Sequence, residues 1–261
     1  MPTLSRINVY PVKSFDGQSV ESAVVLPNGA LAQDRRFVLT DRSGQFINGK
    51  RCAAVHRVRL SFDPESCRLT VRFPGSDTAD MFDLSTDRDA AAERFSAYLD
   101  QPVTIIENTD GGFPDDVESP GPTVISTATL AEVASWYPGL TADETRDRFR
   151  PNLEIEADEP FWEDRLVADG SRAVRFRIGE AEWEGSNPCA RCPVPPRNPY
   201  TGEPIPRFAK TFAERRQATL PAWAATSRFD HFYRRTTNTR PVRSRSCTIR
   251  VGDEVEILDA L

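Results

Sequence analysis

Lysine is almost missing from this chain. Lys13, Lys50 and Lys210 are the only three among 33 basic residues, and arginine makes up the rest. Codon bias explains such a composition, and it leaves each surviving ammonium conspicuous. Histidine is also scarce: His56 and His231 stand far apart and show no paired spacing for a zinc site. The five cysteines (Cys52, Cys67, Cys189, Cys192 and Cys247) are odd in number and scattered, which excludes a disulfide framework. No apolar run nears the roughly 20 residues of a membrane span. The segment Met1–Arg6 lacks a basic stretch followed by an apolar one, so no secretory signal is visible and the cytoplasm is the expected compartment. A net charge of −6 argues against nucleic acid as a partner, and no Gly-rich dinucleotide fingerprint supports direct use of NAD(P)H.

What the chain does contain is a succession of short strands. Arg6–Tyr10, Ser19–Leu26, Arg35–Thr40, Val55–Phe62 and Arg68–Phe73 carry β-type patterns, with Asn28-Gly29 and Asp63-Pro64 as turns. A helix is expected over Asp87–Leu99, with Ala91, Phe95 and Leu99 on one face. Residues 108–121, rich in Asp, Gly and Pro, read as an exposed loop or domain seam. A second helix carries Leu130, Val133, Ala134 and Tyr137, with Thr129 and Glu132 as a capping box. A short helix starts at Thr141 and another lies near Phe208–Arg216. Val174–Trp183 and Cys247–Leu258 each read as a hairpin. The fold class is mostly β (α+β).

One stretch dominates, Asn187-Pro188-Cys189-Ala190-Arg191-Cys192-Pro193-Val194-Pro195-Pro196-Arg197. Prolines on both sides bar a regular helix, so the two thiols sit on a stiff loop. A thiolate is both nucleophile and metal ligand, and the Arg191 guanidinium beside Cys192 favours it. By residue type alone the pair suits a metal ligand, a redox-active or sulfur-carrying dithiol, or half of a zinc site. Cys52, Cys67 and Cys247 read as small buried hydrophobes. The arginines at 234, 235, 240, 243, 245 and 250 read as a solvated face or a dock for an acidic partner.

Five blocks in register resemble the MOSC superfamily, specifically chains with an N-terminal MOSC β-barrel domain ahead of the MOSC domain. They are Tyr10–Ser14, Leu31–Phe37, Ile125–Leu130, Arg148–Asn152, and Cys189–Cys192 with Asn198–Glu203 behind it. The resemblance implies two domains, 1–107 and 108–261, each a β-barrel, packed together with a few helices. It also implies a molybdenum cofactor, a pyranopterin dithiolene bearing a phosphate, with Cys192 as the protein ligand to Mo. Pyridoxal phosphate is not expected. In this register Lys13 and Ser14 match the phosphate contacts, Arg35 or Arg36 adds a guanidinium, and Ser126 and Thr127 donate from a helix start. Arg150 and Asn152 hold the pterin edge, and Arg191 supports the thiolate or the oxo groups.

The activity implied is reduction of N-hydroxylated compounds such as amidoximes, hydroxylamines and N-hydroxylated bases. Within these 261 residues no iron–sulfur domain is visible, so electrons are expected from a ferredoxin, flavodoxin or cytochrome b5 type of donor. The superfamily also implies an alternative, a sulfur carrier or a protein that delivers or sulfurates the cofactor. Ala190 where relatives often have Ser, and the run Pro193–Pro196, depart from the pattern and leave the substrate open.

Overall fold

The structure is a computed structural model that describes residues 1–170, 172–190, 192–242 and 245–259. In chain order the strands are β1 (Thr3–Val9), β2 (Gln18–Val20), β3 (Ser22–Val25), β4 (Phe37–Thr40), β5 (Arg59–Asp63), β6 (Arg68–Arg72), β7 (Asp80–Asp83) and β8 (Thr104–Glu107). They continue with β9 (Val124–Ser126), β10 (Leu153–Glu156), β11 (Val174–Ile178), β12 (Ala181–Ala190), β13 (Arg234–Pro241), β14 (Cys247–Arg250) and β15 (Val255–Ile257). Four helices join them: α1 (Arg88–Leu99), α2 (Thr127–Ser135), α3 (Ala142–Phe149) and α4 (Phe208–Ala218). The mostly β class is as expected.

The largest sheet has the order β15-β11-β12-β13-β9-β10-β1-β2. Its one parallel pair, β9 with β10, needs a crossover, which α2 and α3 supply. The sheet curls until the start of β1 meets the turn before β15, where Thr3 bridges Glu254 and Val255 N donates to Pro2 O at 2.9 Å. The first strands of the chain therefore complete a sheet whose other members come from residue 124 onward. Ile7, Val124, Leu153, Phe176 and Trp183 form its core. Gly29 permits one close approach: a Cβ there would lie 2.8 Å from Pro241, and φ is +82°.

A separate core fills the N-terminal part. Val12, Phe37, Phe62, Leu69 and Phe95 lie between the pair β4–β8, the meander β5–β6–β7 and α1. Phe95, on the helix face read from its spacing, meets Phe15 and Phe73 edge-on at 5.5 and 5.3 Å. A third cluster of Val133, Trp136, Phe149, Phe208 and Phe212 gathers α2, α3 and α4.

Three local expectations fail. Cys247–Leu258 turns at Gly252-Asp253 but is no hairpin, because β14 pairs with β3 while β15 pairs with β11. A turn signal says where the chain reverses, not which edge each strand joins. Ala53–Arg57 is a 3-10 turn, and β5 begins only at Arg59. The cap of α2 is Ser126, whose hydroxyl accepts from Thr129 N at 3.2 Å; Glu132 instead takes the Trp136 indole N–H at 3.0 Å.

Candidate functional site

A cavity of about 1180 Å³ opens where four blocks meet: the end of β1, the turn before β4, the C-terminus of α3 and the loop after β12. The 111–121 loop closes one side. In a chain of net charge −6, its lining carries ten Lys or Arg against six Asp and no Glu. Field lines converge in a concave, low-dielectric site, so the cavity favours an anion although the protein repels one.

Lys13 marks one end. Its ammonium is buried and donates to Phe113 O at 2.8 Å while pairing with Asp115 Oδ1 at 2.8 Å. Burial pushes its pKa below the ordinary lysine value, and Asp115 resists that shift. Asp115 itself is 66% exposed. Enclosure by the cavity walls acts to raise its pKa, but the Arg35 and Lys13 charges win and hold it well below the usual carboxylate range. Ser14 follows with φ +78°, a left-handed kink that turns the chain into the cavity. Arg35, also left-handed at φ +51°, pairs with Asp34 and reaches Asn152 Oδ1 at 3.4 Å.

Tyr10 forms the floor. Its hydroxyl donates to Pro151 O at 3.1 Å, and its ring faces the guanidiniums of Arg150 at 4.1 Å and Arg35 at 5.6 Å. Burial holds the phenol well above its ordinary pKa, so it stays neutral. Arg150 caps α3 in the left-handed conformation and has no carboxylate within ion-pair distance among the described residues. Asn152 is buried and engaged at both ends of its amide: Oδ1 accepts from Thr123 N and Oγ1, and Nδ2 donates to Asn8 O at 3.1 Å. It fastens β1 to the 123 segment and backs Arg35.

Cys189 and Cys192 close the other wall. β12 reaches them through register shifts at Gly185/Asn187 and Pro188/Ala190, which bend the strand towards the cavity. The Cys189 thiol donates to Ala190 O at 3.6 Å. Buried Arg148 pins the proline run, donating to Pro195 O and Pro196 O at 2.9 Å each and pairing with Glu144 at 2.6 Å. From the N-terminal side, Arg59 pairs with Asp16 at 2.8 Å, donates to Pro199 O at 3.0 Å and lies 5.1 Å from the Tyr200 ring. Tyr200 donates to Asp147, and that bond, with burial, pushes its phenol pKa up to about 12.

Of the residues singled out from sequence, Lys13, Ser14, Arg35, Arg150, Asn152 and Cys192 line this one cavity. Arg36, Ser126 and Thr127 do not. Arg36 points the other way, to Glu107 at 2.7 Å and over Phe37. Ser126 is fully buried as the α2 cap, its N–H donating to Glu163 Oε2 at 3.1 Å. Thr127 opens the same helix outside the lining. Arg191 lies outside the described residues.

The arginine run near the C-terminus is not one face either. Arg234 lines the cavity, Arg235 is buried, Arg240 pairs with Glu184, and Arg243 is outside the described residues. Tyr10, Asp115, Arg148, Arg59 and Arg197 were not singled out for a role. Tyr10 and Arg148 stood inside the resemblance blocks and Arg197 ended the quoted cysteine stretch, whereas nothing local marks Asp115 or Arg59. Among the described residues no group of three His, Cys, Asp or Glu side chains could hold a metal ion unaided.

Residues 1–109 match the model for the MOSC N-terminal beta barrel domain, and residues 123–256 match that for the MOSC domain. The chain is 25% identical over 243 residues to a molybdenum cofactor sulfurase from Drosophila willistoni, covering 81% of this chain and 29% of that protein. A sulfurase from Oryza sativa subsp. japonica is 26% identical over 234 residues, covering 72% of this chain and 27% of that protein. Mitochondrial amidoxime-reducing component 1 of Danio rerio is 23% identical over 233 residues, covering 76% of this chain and 70% of that protein. The chain spans less than a third of the sulfurases' length.

Proposed function

The chain belongs to the MOSC family, and from that membership we propose that it binds a molybdenum cofactor and reduces N-hydroxylated compounds such as amidoximes and hydroxylamines. The observation that carries the reading is the joining, in one positively lined cavity, of an anion-holding end at Lys13 with a thiol wall at Cys192.

The residues present fit such a group. A phosphate needs an ammonium and a guanidinium, and Lys13 with Arg35 provides them beside the Ser14 hydroxyl. Arg150, with no carboxylate partner among the described residues, offers directional N–H donors to the pterin edge. Asn152 supports the site by fixing Thr123 and backing Arg35. Cys192 supplies one soft thiolate to a metal that brings its remaining ligands with it. When bound, the cofactor supplies a two-electron redox centre able to accept oxygen from an N–O bond. Orientation is the protein's share. Arg148 grips the proline run and Arg59 holds Pro199 just beyond it, so the thiol is presented from a braced loop.

Electrons would come from a ferredoxin, flavodoxin or cytochrome b5 type of protein. No helix among the described residues is long and apolar enough to cross a membrane. A cytoplasmic location and a division at 107/108 belong to the same proposal.

The sulfurases among the relatives favour a second reading, a carrier that holds sulfur on Cys192 or passes on the cofactor. One comparison separates the two: metal and pterin content, and benzamidoxime reduction with a chemical reductant, in wild type and Cys192→Ala from cells that make the cofactor. Near-stoichiometric Mo and pterin with turnover that Cys192→Ala abolishes supports the reductase. A protein free of Mo that bears labile sulfur on Cys192 removes it in favour of the carrier.

A further inference from the structure

The cofactor reading uses the Lys13, Arg150 and Cys192 parts of the cavity and leaves one wall without a task. That wall lies at the seam between the two halves. Gly202 packs against the 3-10 turn, where a Cβ would stand 3.3 Å from Ala53 O. Arg59 Nη2 donates both to His56 O and to Pro199 O. The segment after the cysteines is thus clamped onto residues 53–59, and Arg197 lies within it.

Within this wall Arg197 carries an unpaired charge. Lys13, Arg35, Arg59, Arg146, Arg148 and Arg234 each meet a carboxylate, whereas Arg197, like Arg6, Lys50 and Arg150 elsewhere in the lining, has no ion pair among the described residues. Of these four only Arg197 also has a buried side-chain nitrogen without a partner. Its Nε is buried without a hydrogen-bond partner, yet the side chain lines the cavity. The nearby acids are engaged elsewhere, Asp16 by Arg59 and Asp147 by Tyr200. His56 is 8% exposed, with Nε2 unpartnered under the bare face of Gly49. Burial first, then the charges of Arg150, Arg197 and Arg59, lower its pKa against the Gly49 backbone, which favours the charged form. A cation that is partly desolvated and uncompensated by its own fold is a cost, and one that a ligand's negative group can offset.

We infer that Arg197, held in place by the Arg59 clamp, is a subsite for a carboxylate carried by the substrate. The inference rests on the reductase reading and narrows it to N-hydroxylated compounds that also bear an acid group. Arg197 lies five residues beyond Cys192, on the loop that presents the thiol. It is therefore a specificity-determining residue that touches the far end of the substrate.

The test is calorimetric titration of cofactor-loaded wild type and Arg197→Gln, without reductant. The probes are benzamidoxime, 4-carboxybenzamidoxime and benzoate, and Mo and pterin content is measured in parallel. Wild type should bind the carboxylated amidoxime about tenfold tighter than benzamidoxime, the effect of one charge-assisted contact. Arg197→Gln should erase that advantage and leave benzamidoxime affinity and pterin content unchanged.

Equal affinities in wild type, or an advantage that survives in the variant, overturn the subsite. Loss of pterin in Arg197→Gln overturns it too, because the oxyanion held there would be the cofactor's own phosphate. Benzoate binding that depends on Arg197, in a protein that neither binds nor reduces benzamidoxime, keeps the subsite and removes the reductase reading.

Discussion

Replacing Asp115 by Asn should tighten anion binding at Lys13 about tenfold. In the structure Asp115 occupies the ammonium that an incoming phosphate needs, at 2.8 Å, from a side chain that is 66% exposed. Displacing so exposed a partner costs about 1 kcal/mol. A phosphate dianion that stays within about 6 Å of the displaced carboxylate meets a further repulsion of about 1.4 kcal/mol at the dielectric of water. The two together reach about 2.4 kcal/mol at most, and salt screening trims them towards the 1.4 kcal/mol of a tenfold change. The loop itself should survive, because Phe113 N remains bonded to Arg35 O at 2.9 Å and Asn238 still holds Asp116 at 3.1 Å. The assay is calorimetric titration of inorganic phosphate into cofactor-free protein at an ionic strength of about 0.15 M, where that screening operates, for wild type, Asp115→Asn and Lys13→Met. Unchanged or weaker binding in Asp115→Asn refutes the competition. Undiminished binding in Lys13→Met would show that the anion goes elsewhere.

Arg148→Met strips the proline run of two carbonyl contacts and takes the guanidinium from Glu144, which keeps the Asn198 amide at 3.4 Å. Urea titration should show a loss of about 3–5 kcal/mol, and a loss below about 1 would mean that the run holds itself. Burial first, then the Asp164 charge, push the Glu163 carboxyl from an ordinary 4.5 up to about 7, with Arg216 pulling the other way. A raised folded pKa favours the fold fully below pH 4.5, and that support is withdrawn as pH climbs to about 7, about 3 kcal/mol in all. Glu163→Gln should flatten that slope in thermal melts from pH 5 to 8, and an unaltered slope would place the titration on another group. In Cys189→Ala, Mo and pterin content should stay within about twofold of wild type if Cys192 alone binds the metal; loss equal to that in Cys192→Ala would make both thiols ligands.

Helices whose apolar residues recur four apart were legible along the chain, as at α1 with Ala91 and Phe95 and at α4 with Phe208 and Phe212, because their burial is decided within a dozen residues. The pairing of β14 with β3 was not, since nothing local links Cys247 to Val25 across some 220 residues. The site divides in the same way. Lys13, Arg150 and Cys192 sat in quoted blocks and fall in one cavity. Ser126 sat in a block too, but its hydroxyl serves the helix cap, a use that a hydroxyl before a helix always offers. Asp115 reaches Lys13 and Arg59 reaches Pro199 across about 100 and 140 residues, contacts that no local pattern announces. An unpaired Arg197 is a statement about what does not surround it, which no spacing rule can express.

The pairing of β1 with β10 also sets a timetable for synthesis. Ile7 leaves the ribosome early, and its partner Leu153 follows roughly 150 residues later. At ordinary elongation rates β1 waits about 10–30 s with its hydrogen-bonding edge open. The N-terminal core can close around Phe37 and Phe95 in that interval, but it cannot shelter Leu4 or Ile7, which belong to the other core. Newly made chains should therefore pass through a state with one half folded and an apolar strand trailing from it, a target for strand-binding chaperones and a hazard when expression is fast.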